Sequence, residues 1–113
     1  ALATALAALA ESAEVANAIE ATKVRVTEQV RGACEILGLD PIYVANEGRF
    51  VCIVPAAQAA SALEIIARTA PGGPPAIIGR VNAAPVGQVT QRSIIGADRI
   101  VDRLSGEQLP RIC

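Results

Sequence analysis

Three cysteines, at positions 34, 52 and 113, are the plausible nucleophiles of this sequence. The thiolate is the reactive form of cysteine, so position and surroundings decide which of them could act. Cys34 falls on the apolar stripe of a helical segment, and Cys52 lies inside Phe50-Val51-Cys52-Ile53-Val54. Both read as small, inert core residues, since free cysteine is among the most buried residue types. Cys113 differs: it is the last residue, on a segment with Gly106 and Pro110 that no helix or strand pattern claims. The chain beyond Leu104 reaches at most ~30 Å when extended, far enough to carry the thiol into a site on another domain or another protein. Its own α-carboxylate disfavours the thiolate and Arg111 offsets part of that, so no strongly activated thiol is expected in isolation.

Glu47, between Asn46 and Gly48, is the second candidate. A carboxylate at a hairpin tip reads, on position alone, as an ordinary solvated turn residue. Asp98 and Asp102, beside Arg99 and Arg103, read as strand-surface charges, and the glycines at 72, 73, 79 and 96 form neither a GxGxxG nor a Walker pattern. No phosphate cradle is therefore visible in this chain. Histidine is absent altogether, which removes a Ser-His-Asp triad, a Cys-His pair and His-containing zinc sites.

These groups sit in a chain of 113 residues, enough for one hydrophobic core. The formal net charge is −1 and the aromatics are one Tyr and one Phe, so neither a basic footprint nor a stacking platform speaks for nucleic acid. The opening ALATALAALA lacks a basic n-region, and no apolar run approaches the ~18 residues of a membrane span. Neither export nor membrane insertion is expected. Three cysteines without a CxxC argue against a secreted disulfide framework and for a reducing cytoplasm. The missing initiator Met and the start inside a helical pattern predict a piece of a longer protein.

Several elements must position the candidates. Leu2, Leu6 and Leu9 with Ala5 and Ala13 mark a first helix, and Ala18 to Val26 reads as a strand through the alternation of Val24 and Val26 with Lys23 and Arg25. A second helix in TEQVRGACEILGLDP carries Val30, Ala33, Cys34 and Leu37 on one stripe and stops at Gly38 and Pro41. Ile42–Ala45 and Arg49–Val54, flanking Asn46-Glu47-Gly48, predict a β-hairpin. Pro55 opens a third helix with Ala59, Leu63, Ile66 and Ala70 on its stripe, ended by PGGPP. Strand-like runs follow at 77–81, 88–95 and 99–104. The order is β-α-β-β-α-β plus extra strands and an N-terminal helix: an α+β fold with a ferredoxin-like core, its helices packed on a largely antiparallel sheet. The expected organisation is a domain over 1–104 and a flexible cysteine-bearing tail over 105–113.

Three runs carry a family resemblance: Val30-Arg31-Gly32-Ala33-Cys34-Glu35-Ile36-Leu37-Gly38-Leu39-Asp40-Pro41, Tyr43-Val44-Ala45-Asn46-Glu47-Gly48, and Leu104-Ser105-Gly106-Glu107-Gln108-Leu109-Pro110-Arg111-Ile112-Cys113. Together they resemble the C-terminal domain of the HypE family of hydrogenase expression/formation proteins, in the aminoimidazole-ribotide-synthetase-like superfamily. The resemblance implies an ATP-dependent carbamoyl dehydratase. A HypF carbamoyltransferase would place a carbamoyl group on the thiol of Cys113, dehydration would leave a thiocyanate, and a HypC–HypD complex would receive the cyanide for the iron of a [NiFe] hydrogenase. It further implies that Glu47 acts as base or orients the amide nitrogen, and that Pro110 and Arg111 guide the tail. ATP and Mg2+ would be bound by an N-terminal domain outside this chain, and a homodimer is among the assemblies the resemblance allows. One departure stands out: Gly96-Ala97-Asp98-Arg99 occupies the place of an expected Gly-Gly-Thr-Arg. The rival reading is a non-catalytic ferredoxin-like module that binds a ligand or dimerises through its sheet, with Cys113 incidental.

Overall fold

The computed structural model describes residues 1–102. Helix α1 spans Leu2–Ser12, α2 Glu28–Leu37 and α3 Ala59–Thr69, with strands β1 Ala16–Glu20, β2 Gly79–Asn82, β3 Val89–Arg92 and β4 Asp98–Ile100. Single 3-10 turns cover Ala21–Lys23, Pro41–Tyr43 and Ala56–Gln58. The strands form one sheet in the order β2-β1-β3-β4. β1 runs antiparallel to β2 and parallel to β3, while β3 and β4 form an antiparallel hairpin. The α+β class is thus the observed one, with a mixed sheet.

The core lies between α1 and this sheet. Ala3, Leu6, Ala7 and Ala10 of α1 are buried together with Ile19, Ile42, Val89 and Val101. The buried face is not the expected stripe: Ala5 and Ala13 are exposed and Leu9 is 37% exposed. The alanine-rich side faces the strands because short side chains let the helix axis approach the sheet. A polar contact fixes its register: the buried Asn17 donates from Nδ2 to the Leu6 carbonyl at 2.9 Å. The turn from α1 into β1 puts Glu14 at φ 54°.

Between β1 and β2 the chain makes one long excursion, residues 21–78, that carries α2 and α3. Its two ends are pinned together, with the Glu20 amide donating to the Ile78 carbonyl at 2.8 Å. Gly79 sits opposite Ile19, where a Cβ would meet the Ala18 carbonyl and lie 2.8 Å from the Ile19 Cα, so only glycine lets β2 close on β1. Helix α2 stops where expected and is capped at both ends. Thr27 Oγ1 accepts from the Val30 amide at 3.5 Å, and Gly38 takes the left-handed conformation at φ 66° while Leu39 N donates to Cys34 O at 2.8 Å.

Three expectations need correction. The first strand stops at Glu20, and Val24 and Val26 lie past it, because β1 gains its strand character from neighbours on both sides rather than from β-branched residues. The hairpin across 42–54 forms no ladder: Pro41–Tyr43 is a 3-10 turn and residues 49–54 have no regular structure and no strand pairing. Asp40 caps that turn and Ile42 is drawn into the core, which removes the residues a first hairpin strand would need. The ferredoxin-like order is therefore not realised among the described residues. Finally, α2 and α3 do not bury a face on the sheet: Cys34 is the sole buried residue of α2, and α3 keeps Ala59, Leu63 and Ile66 half-buried with none fully buried.

Candidate functional site

Of the expected site residues, Glu47 alone is described; Cys113, Pro110 and Arg111 lie outside the described residues. Glu47 stands at the end of a segment built by local rules. Asp40 precedes Pro41, a pairing that starts a 3-10 turn, and Asp40 Oδ1 accepts from the Ile42 amide at 3.1 Å. Ile42, 4% exposed, anchors the turn in the core and Tyr43 packs against it. The chain then leaves the body and reaches Glu47, which is exposed and followed by Gly48 at φ 73°. That positive φ is the glycine requirement expected of the Asn-Glu-Gly run. Among the described residues Glu47 forms no hydrogen bond or ion pair, so its carboxylate is open to a group arriving from outside.

The other cysteines divide. Cys34 is buried as expected, whereas Cys52 is exposed, because the strand meant to bury it does not pair.

Sequence reasoning missed a polar junction beside this segment. Arg99 on β4 donates from Nη2 to Asp40 Oδ2, and from both Nε, at 2.8 Å, and Nη2 to Gln91 Oε1. Gln91 is 5% exposed, so its side-chain oxygen relies on this guanidinium in place of water. The signal was present: in β3, Val89 and Gln91 share the inward face, and a polar residue at a core-facing strand position requires a partner. These three residues edge a cleft of about 540 Å³ between α2, the 3-10 turn and the β3–β4 turn, also lined by Val24, Arg31 and Ile94. Glu47 is not in its wall.

On the outer face of the same hairpin, Arg92 and Asp98 pair side by side, with Nε to Oδ1 at 2.9 Å and Nη2 to Oδ2 at 3.2 Å. The Arg92 hydrogen bonds, then its charge, hold the Asp98 carboxyl below the usual carboxylate range, and the Arg92 guanidinium is raised in turn. Asp98 thus has a structural role in the run that departs from Gly-Gly-Thr-Arg. Gly96, at φ 83°, closes the turn ahead of it, where the Ser93 amide donates to the Ala97 carbonyl at 2.8 Å.

Among the described residues no three His, Cys, Asp or Glu side chains converge, and Gly79 lies against β1. No helix of the described residues is long and apolar enough to cross a membrane.

Comparison with known proteins places this geometry in context. Residues 1–92 match the family model of the AIR synthase related protein, C-terminal domain. The carbamoyl dehydratase HypE of Rhodobacter capsulatus is 49% identical over 112 residues, 99% of this chain and 33% of that protein. That of Azotobacter vinelandii is 47% identical over 105 residues, 93% of this chain and 31% of the relative. Among solved structures, a hydrogenase maturation protein HypE superposes with a TM-score of 0.87 at 41% identity, covering 99% of this chain and 37% of that one. A HypE in complex with ATP gives 0.85 at 40% identity, with 99% and 35% covered. A HypE–HypF complex gives 0.84 at 38% identity, with 91% and 33% covered. The chain spans about a third of the length of the relatives it matches. With most of its length matched by the family model and its whole described fold superposing on HypE structures, the chain belongs to the AIR synthase related protein C-terminal domain family, with HypE proteins as its relatives.

Proposed function

We propose that this chain is the cysteine-bearing domain of a HypE-type carbamoyl dehydratase that serves [NiFe]-hydrogenase maturation. One observation carries the reading: a relative named carbamoyl dehydratase HypE aligns over 99% of this chain at 49% identity, and the chain carries the run Pro110-Arg111-Ile112-Cys113. In this reading Cys113 accepts a carbamoyl group from a HypF-type carbamoyltransferase, a partner supported by the likeness to a HypE–HypF complex. The thiocarboxamide, S–C(=O)–NH2, then loses its oxygen and both amide protons to become a thiocyanate. ATP makes that oxygen a good leaving group, and it is held with magnesium by the remainder of the longer protein, as the likeness to an ATP-bound HypE supports.

The roles of this chain's residues follow from their chemistry. The Cys113 sulfur is the attachment point, and a carboxylate with free acceptor oxygens can take an amide proton, which is the role proposed for Glu47. Pro110 and Arg111 guide the 105–113 segment toward the nucleotide. The cyanide passes to a HypC–HypD-type complex in the cytoplasm, and a homodimer is the proposed working assembly.

Mass spectrometry of the C-terminal peptide tests this. The full-length protein is incubated with carbamoyltransferase, carbamoyl phosphate and ATP, and Cys113 is expected to gain first a carbamoyl and then a cyano group. A thiol that stays free, with Cys113→Ala still supporting hydrogenase maturation, overturns the reading. Glu47→Gln is expected to accumulate the thiocarboxamide; normal cyanide formation in that variant returns Glu47 to an ordinary turn residue.

A further inference from the structure

The Arg99 guanidinium joins two parts of the fold that the covalent chain keeps far apart. One is β4, the last strand among the described residues; the other is Asp40, the residue that starts the segment leading to Glu47. Asp40 is used on both oxygens, Oδ1 by the Ile42 amide and Oδ2 by Arg99, so the cap of the 3-10 turn and the tie to the sheet are the same carboxylate. Gln91 completes the arrangement from inside the sheet by accepting from Arg99 Nε at 2.8 Å. A guanidinium is suited to this place because its planar fork can serve two acceptors at once, which an ammonium on a flexible stem does with less definition.

We infer that Arg99 is a positioning residue: by gripping Asp40 from β4 it fixes the Pro41–Tyr43 turn against the sheet, and so sets the base from which the chain runs to Glu47. The consequence for dehydration rests on the role proposed above for Glu47; the effect on the segment itself does not. Without Arg99 the Asp40 carboxylate keeps its cap but loses its tie to the sheet, and Gln91 keeps a buried oxygen without a donor. The segment is then held to the core through the packing of Ile42 and Tyr43.

The test uses the full-length protein, its carbamoyltransferase partner, and the variants Arg99→Lys, Arg99→Ala and Asp40→Asn. Hydrogen exchange is read at the Ile42, Tyr43 and Val44 amides with β1 and β3 amides as the internal control. In the same samples, carbamoylation of Cys113 and its decay with ATP are timed by mass spectrometry. Arg99→Ala and Asp40→Asn are each expected to speed exchange at the three amides while the controls stay protected. They are also expected to slow decay of the thiocarboxamide about tenfold, a size in keeping with a small misplacement of a reacting group, with carbamoylation unchanged. The double variant should be no slower than either single one, and Arg99→Lys should fall between wild type and Arg99→Ala.

Unchanged exchange in both Arg99→Ala and Asp40→Asn overturns the inference. So does faster exchange with wild-type decay, which leaves Arg99 a structural group alone. Where Arg99→Ala fails to fold, Asp40→Asn and Arg99→Lys decide the matter by the same readings. Glu47→Gln separates the two ideas: wild-type cyanide formation there removes the base role, whereas the exchange data still decide whether Arg99 holds the segment.

Discussion

Arg92 and Asp98 are register partners at the open rungs of the β3–β4 hairpin, and their side chains meet through two parallel hydrogen bonds of 2.9 and 3.2 Å. The pair sits on the exposed edge of the sheet, so its contribution is modest and screened by salt. Its pH dependence still has a definite sign. The Asp98 carboxyl is lowered in the fold from its ordinary value of 3.8, so the pair stabilises the protein fully above that value and is lost as pH falls below it. Asp98→Asn is expected to lower the urea midpoint slightly at pH 6 and to flatten the decline between pH 4 and 3. An identical decline in wild type and variant would show that the pair contributes nothing.

Asn17 offers a sharper measurement, because its amide is 3% exposed and donates to the Leu6 carbonyl of α1. Asn17→Ala removes this side-chain tie between the helix and β1, at an expected cost of about 1–3 kcal/mol. Chemical denaturation with the slope left unchanged would report it. A loss below ~0.5 kcal/mol would mean that packing of the alanine face alone holds the helix.

Gly79→Ala is expected to cost more than an ordinary strand glycine would, since the added methyl meets the Ala18 carbonyl and Ile19 Cα, which are backbone and cannot swing away. About 2 kcal/mol or more is expected. The loss should show as faster hydrogen exchange along β2, with the β3–β4 hairpin spared. Protection equal to wild type on β2 would contradict the tight approach of β2 to β1.

Two positive φ values give opposite outcomes. Gly38, at 66°, ends α2, and Gly38→Ala should cost about 1 kcal/mol. Glu14, at 54°, carries a side chain where glycine would be comfortable, and Glu14→Gly should stabilise by several tenths of a kcal/mol up to about 1. Thermal melts of the pair compared with wild type check both signs, and shifts in the same direction would refute one of the two backbone assignments.

What could be read from the sequence was what neighbouring residues decide among themselves. Gly38 and Pro41 end α2 because chain stops are local. The 3.6-residue period of Ala59, Leu63, Ile66 and Ala70 marks the half-buried side of α3 for the same reason. β1 was shifted because Ala-Asn-Ala-Ile-Glu has little strand propensity of its own and becomes a strand through β2 and β3, which come much later in the chain. At 42–54 the turn chemistry was right, with Gly48 at φ 73°, but Ile42 serves the core instead of a ladder. The site divides in the same way. Glu47 and Cys113 stood out through short motifs, whereas the Arg99–Asp40–Gln91 junction unites three distant stretches and shows only in three dimensions.

The excursion of residues 21–78 leaves and re-enters the sheet at adjacent strands, with Glu20 and Ile78 hydrogen-bonded at its neck. All four strands and α1 are drawn from 1–20 and 79–102, so the sheet is closed before anything in the excursion contributes a strand. The insert is nonetheless anchored in the scaffold, because Ile42 lies in the core beside α1 and Asp40 is tied to Arg99 of β4. Mutations on the exposed faces of α2 and α3 can reshape the insert without rewriting the ladder, and a single cut at the exposed Gly72-Gly73 pair is expected to leave the neck and the Ile42 anchor in place.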